Sequence, residues 1–191
     1  MSSIRSKARS RASEFTKRAD RLIRALETGP DSLPASDGRI PWGTALNGFE
    51  ELTRAFRTLA LDVELAQDRT EVLDSMARLR GAIDRNRARF KGWVSSELEK
   101  SIAWFEDASS NLAEDEPEEV LDVWSCLDAA QALIGFLESM GIDISNSQAR
   151  LNAVLEGIRA RAQELPYFGP FDDSDPFGPS KEQWWWFLGS Q

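Results

Sequence analysis

Apolar residues recur along this chain at intervals of three and four, and six stretches carry that spacing. In the first, over residues 3–27, Ala8, Ala12, Phe15, Ala19, Leu22 and Leu26 step by 4, 3, 4, 3 and 4, with Ile23 beside them. That is the seam of a coiled coil. Its three alanines make the first half thin, so close packing is expected over 15–26 and fraying over 1–10. Gly29-Pro30 ends the helix, because glycine suits a C-terminal cap and proline cannot continue the turn. Residues 28–41, rich in Pro, Gly, Asp and Ser, read as a loop.

The second stretch starts between 42 and 46 and runs to about 67 through Phe49, Leu52, Phe56, Leu59, Val63 and Ala66, with a break expected at 68–70. The third covers 71–91 through Val72, Met76, Leu79, Ile83 and Phe90. Its end carries Arg78, Arg80, Arg85, Arg87, Arg89 and Lys91, cations that suit the negative end of a helix dipole. Gly92 is the expected boundary with a fourth helix. There Ser96 and Glu99 form a capping-box signature, followed by Leu98, Ile102, Phe105, Ala108 and Leu112.

The fifth stretch, 118–140, is apolar over most of its circumference: Val120, Leu121, Val123, Trp124, Cys126, Leu127, Leu133, Ile134, Phe136 and Leu137 leave little room for polar residues. Such a helix is normally buried among several neighbours, so it is the expected centre of the molecule. Pro117 opens it and Gly141 closes it. A sixth helix, capped by Ser145 or Ser147, presents Leu151, Val154, Leu155, Ile158, Ala162 and Leu165 before Pro166 stops it. No stretch alternates as a strand would, and no residue pattern repeats at solenoid periods. The prediction is an all-α, antiparallel bundle of about six helices with an irregular, aromatic-rich C-terminal tail. Its parts are a basic N-terminal helix over 1–27, the loop 28–41, the bundle core 42–165 and the tail 166–191.

The tail changes the picture. It holds four of the eight prolines and three glycines, yet also Tyr167, Phe168, Phe171, Phe177, Trp184, Trp185, Trp186 and Phe187. Disordered linkers are poor in aromatics. An irregular segment this rich in them packs onto something: its own bundle, a partner's pocket, or a membrane interface. The lone base Lys181 against Asp172, Asp173, Asp175 and Glu182 opposes an anionic membrane. Trp184, Trp185, Trp186, Phe187, Phe177 and Phe171 are therefore the candidate protein-binding residues, since tryptophan is enriched at interface hot spots.

Charge supplies a second candidate. The net charge of the 191 residues is −9, but residues 1–26 carry eight bases and two acids, which leaves −15 on the remainder. Arg5, Lys7, Arg9, Arg11, Lys17 and Arg18 in this arm could meet nucleic acid, an anionic surface or the acidic body itself. Self-association through the 15–26 seam is a further expectation.

Chemistry is signalled only faintly. Without histidine the Ser-His-Asp and Cys-His nucleophile systems and the usual zinc sites are excluded. No phosphate-binding glycine loop occurs. The run 173–178 is a poor match to a calcium loop, with proline at its fourth place and Trp184 at its twelfth. No enzyme, metal or cofactor is expected. A single cysteine, Cys126, and no secretory or membrane-spanning segment point to a cytoplasmic protein, and the excess of arginine over lysine to a GC-rich bacterial genome. The leading expectation is a non-enzymatic protein–protein interaction module: an adaptor, an inhibitory partner or a small subunit of a bacterial assembly. The alternative is a nucleic-acid-contacting helical subunit.

Overall fold

The computed structural model describes residues 2–29, 41–59, 62–112, 116–168 and 175–188. Six α-helices form a bundle, and no strand occurs among the described residues. They are α1 (Ser2–Thr28), α2 (Pro41–Thr58), α3 (Ala66–Arg85), α4 (Arg87–Ala108), α5 (Pro117–Ser139) and α6 (Ser145–Ala160). One hydrophobic core runs through all of them.

The α1 seam is buried along its whole length, Ala8 and Ala12 included. Packing thus begins at Ala8, within the 1–10 segment expected to fray, because small side chains there let α1 approach its neighbours closely. Residues 62–68 supply the contact, through the ion pairs of Arg5 with Asp62 and Glu64 and of Arg9 with Glu64 and Asp68. Further along, Asp20 pairs with Arg78 and Glu27 with Arg85, each near 2.9 Å or closer. Residue numbers rise together along both helices, so α1 and α3 run parallel. Against α2 the order reverses: Arg11 meets Glu51, and Phe15 packs on Phe49 at 5.7 Å. Since the seam faces α2 and α3 within the chain, it is not available for a coiled coil with a second copy.

α2 in turn lies on α5, and α5 is crossed near its C-terminal end by α4, where Phe90 stands edge-on to both Phe136 and Trp42. α4 continues onto α6 through Glu99, Glu106 and Arg150. The neighbour order is therefore α3, α1, α2, α5, α4, α6. In each half of the chain the first helix sits between the other two, and the second helices, α2 and α5, join the halves.

Several boundaries differ from those expected; α6 ends at Ala160, not at Pro166, and a 3-10 turn, Ala162–Glu164, follows it. α2 stops at Thr58 rather than near residue 67, and a 3-10 turn, Val63–Leu65, leads into α3. Val63, read as apolar face, is 85% exposed. Asp62 makes the break: its side chain accepts the Glu64 N–H, a local bond that competes with continued helix. The next break falls at Asn86, not at Gly92, which lies inside α4. Asn86 leaves helical geometry (φ −121°, ψ 33°), and its backbone N–H and Nδ2 both turn back to the Ala82 carbonyl. The Ser96/Glu99 pair is thus mid-helix and caps nothing; Glu99 instead accepts from Ser147 Oγ at 3.0 Å. For α6 the capping side chain is Asp143, which accepts from both Ser145 N–H and Ser145 Oγ.

The expected ends of α5 are those found, with Pro117 first and Gly141 in the left-handed region at φ 68°. By length and composition α5 could cross a membrane, but 61% of its most apolar window is buried inside the protein, as in a core helix. Cys126 is half-buried on its flank, not enclosed as expected. The basic cluster at the α3–α4 junction is spent on structure. Arg89 donates to the Leu26 carbonyl at the end of α1, and Arg87 to the Met140 carbonyl at the end of α5. Both satisfy orphan carbonyls at negative helix ends.

A candidate site where the tail meets a buried carboxylate

Asp128 is the one acidic residue among the buried positions of α5, and it is 7% exposed. Helix periodicity puts it on the face that carries Trp124, Leu127 and Ala132, a place where a lone carboxylate is costly. The donors that satisfy it come from the tail. Trp185 Nε1 donates to Oδ1 and Trp186 Nε1 to Oδ2, both at 3.0 Å, and Gln183 adds a side-chain hydrogen bond.

The tail reaches this point as a chain of short contacts on four helices. Asp175 accepts from Lys7 Nζ of α1 at 2.8 Å. Phe177 is buried, with Lys7 and Arg11 over its ring at 5.2 and 4.9 Å. Arg54 of α2 donates to the Gly178 carbonyl. A 3-10 turn, Trp184–Phe187, then turns the indoles of Trp185 and Trp186 onto Asp128. Trp184 lies edge-on to Trp185 and beneath Arg159 of α6, 4.2 Å from its ring centre. Three tryptophans in succession do not share a face in extended chain; the tight turn is what lets neighbours 185 and 186 grip the two oxygens of one carboxylate.

Of the expected binding residues, Trp185 (1% exposed) and Phe177 are core residues of this chain. Trp184 and Trp186 are half-buried against it, Phe187 is half-buried, and Phe171 lies outside the described residues. The described part of the tail therefore packs on its own bundle, which sequence could not decide. Asp128 was missed. Of the acids in that helix it is the one placed on the apolar side with Trp124 and Ala132, and that placement was the available signal.

Beside Asp128 a cavity of about 160 Å3 opens between α2, α5 and the tail. Glu50, Glu51 and Arg54 of α2 line it, as do Gln131 of α5 and Glu182 and Gln183 of the tail. Burial pushes the Asp128 carboxyl up to about 7; the bonds from Trp186, Gln183 and Trp185 pull it down, and Glu51 adds to the rise. Glu50 is raised too, by partial burial of its carboxyl, with Arg54 opposing and Glu182 reinforcing. A second carboxylate, Glu97 of α4, caps the start of α2 by accepting the Trp42 N–H at 3.0 Å, and burial pushes it up to about 8. Asp175 moves the other way, held low by Lys7. Among the described residues no group of three or more acids or thiols converges to hold a metal.

The basic arm is engaged as well. Arg5, Lys7, Arg9 and Arg11 pair with Asp62, Glu64, Asp68, Asp175 and Glu51 of the body, and Arg18 with Glu14 one turn back. Lys17 projects from the exposed side of α1. The first four cations thus neutralise the protein's own acids, one of the three destinations their charge permitted. No family model matches this chain, nor does any curated protein or any solved structure.

Proposed function

We propose that this chain is a non-enzymatic helical protein–protein interaction module, an adaptor, inhibitory partner or small subunit, whose contact surface is the outer edge of its tail. One observation carries the reading. Trp185 and Asp128 fix the Trp184–Phe187 turn on the bundle while Trp184, Trp186, Phe187 and Leu188 stay only half-buried. Large aromatic rings held rigid at a surface lose little entropy on binding, which is why such groups dominate interface energetics.

The test separates anchor from surface. Trp184→Ala with Phe187→Ala alters the outer edge and leaves the Trp185–Asp128 bond in place. Native and variant chains, matched by circular dichroism, are used as baits in nuclease-treated extract of the source cells. Loss of a stoichiometric protein partner from the variant alone supports the reading. Equal capture by both baits moves the interface elsewhere on the bundle.

Nucleic-acid contact through Arg5, Lys7, Arg9, Arg11, Lys17 and Arg18 is the weaker alternative. A phosphate backbone would have to compete with the carboxylates these groups already meet and approach a body of net charge −15. An electrophoretic shift at low salt that disappears on Lys17→Glu/Arg18→Glu substitution would revive it.

A further inference from the structure

We infer that the partner docked on the outer edge of the tail is a protein segment carrying an arginine or lysine beside apolar residues, and that the cationic head enters the cavity between α2, α5 and the tail. The inference rests on the reading of that edge as the contact surface, and names the chemistry of what it contacts.

The cavity and the edge are contiguous. Ser180, Glu182 and Gln183 line the cavity, and Trp184 begins the 3-10 turn at the next residue. Asp128 belongs to both, since it lines the cavity and accepts from the indoles of Trp185 and Trp186. Gln131 and Glu182 are exposed members of the lining, so the cavity reaches solvent. A segment laid across Trp184 and Phe187 therefore has the mouth within reach of one long side chain.

The charge of the lining calls for a cation. Glu50, Glu51, Asp128 and Glu182 face a single base, Arg54, which is committed to the Gly178 carbonyl at 2.8 Å. Glu51 is paired with Arg11 of α1 and accepts from Asn47. Even with Arg11 counted, carboxylates outnumber cations by two. Lys181, next to Glu182, is not among the lining residues. The donors on Asp128 are neutral N–H groups on both oxygens, which favour the ionised form and leave its charge uncompensated. Folding has already desolvated this carboxylate, so an entering cation gains its attraction without meeting that cost again.

Size and spacing decide which cation. The cavity measures about 160 Å3, well below the roughly 300–1,000 Å3 of pockets that enclose a drug-sized ligand. It suits the head of one side chain. Among the described residues no three acids converge as metal ligands do. Carboxylates spread over α2, α5 and the tail are better met by a guanidinium or ammonium, which carries several donors on a flexible stem.

The experiment uses the full chain and a phage-displayed library of random peptides, selected at about pH 8. Enriched peptides should combine an arginine or lysine with aromatic or aliphatic residues. Their affinity, read by fluorescence anisotropy, should fall about tenfold or more on Glu50→Gln/Glu182→Gln, and equally when norleucine replaces the peptide's cation. The two changes together should cost little more than either alone, because they remove one interaction. Peptides that need Trp184 and Phe187 but carry no base, or ignore Glu50→Gln/Glu182→Gln, overturn the inference and leave the edge reading standing. Peptides indifferent to Trp184→Ala/Phe187→Ala, or no enrichment at all, overturn the edge reading and the inference with it. Arginine amide alone binding as tightly as the peptides would make the cavity a small-molecule site and also overturn the inference. Circular dichroism confirms each fold; should the double glutamine variant not fold, Glu182→Gln alone, at an exposed position, decides.

Discussion

The indole nitrogen of Trp185 donates to Asp128 at 3.0 Å across 57 residues of sequence, so the tail and α5 are one unit in space. A buried bond to a charged acceptor is worth about 1.5–3 kcal/mol, and truncating a buried tryptophan to alanine costs about 3–5 kcal/mol. Trp185→Ala should therefore destabilise the protein by about 3 kcal/mol or more, against about 1–2 kcal/mol for the half-buried Trp184→Ala, which loses a stacked cation and an edge contact with Trp185. Urea denaturation checks this. Equal losses would mean that Trp185 is not the anchor.

Trp185→Phe keeps most of the ring and removes the donor. Together with Asp128→Ala it closes a double-mutant cycle. The coupling energy should be about 1 kcal/mol or more, because the two groups share one interaction. A cycle that closes to zero contradicts the bond.

Global stability should fall from mildly acidic to alkaline pH. Asp128 and Glu97 are both raised in the folded protein, to about 7 and about 8. For a carboxyl raised on folding, its contribution is fully present below the unfolded value and is lost as pH rises through the folded one. Asp175, held low by Lys7, acts in the opposite sense and loses its contribution as pH falls below the ordinary aspartate range. The urea midpoint should then be higher at pH 5.5 than at pH 8.5. The reverse order would remove both burial arguments.

The alanines of α1 separate a packed N-terminal helix from a frayed one. Ala8 is fully buried while Ser10, two residues on, is exposed. Ala8→Leu should cost about 1–3 kcal/mol by overpacking, whereas Ser10→Leu should stay within about 0.5 kcal/mol. Thermal melts of the two variants suffice, and equal melting temperatures would restore fraying.

Two glycines should respond oppositely to alanine. Gly141 closes α5 at φ 68°, so Gly141→Ala is expected to destabilise by about 1 kcal/mol. Gly135 lies inside α5 on its exposed side with nothing within 4 Å of an added methyl, so Gly135→Ala should stabilise by about 0.5–1 kcal/mol. Chemical denaturation of both resolves the sign.

Six helices, the buried α1 seam and the apolar α5 were legible in the sequence because helix formation and burial leave a period of 3.6 in the order of residues. The ends of α5 were legible too, since Pro117 and Gly141 act within one turn of themselves. The breaks at Asp62 and Asn86 were not. A short polar side chain that bonds its own backbone resembles any other surface residue, and the glycine and capping signature that seemed to mark a boundary were absorbed into α4. What only the tertiary structure decided is which distant groups meet. The arm's cations were visible, but not that Arg5, Lys7 and Arg11 would be spent on Asp62, Asp175 and Glu51. The tail's tryptophans were visible, but not that one acid in α5 would receive two of them. Such pairings join residues 40 to 168 positions apart, and a contact made once, at that separation, imposes no periodicity on the chain.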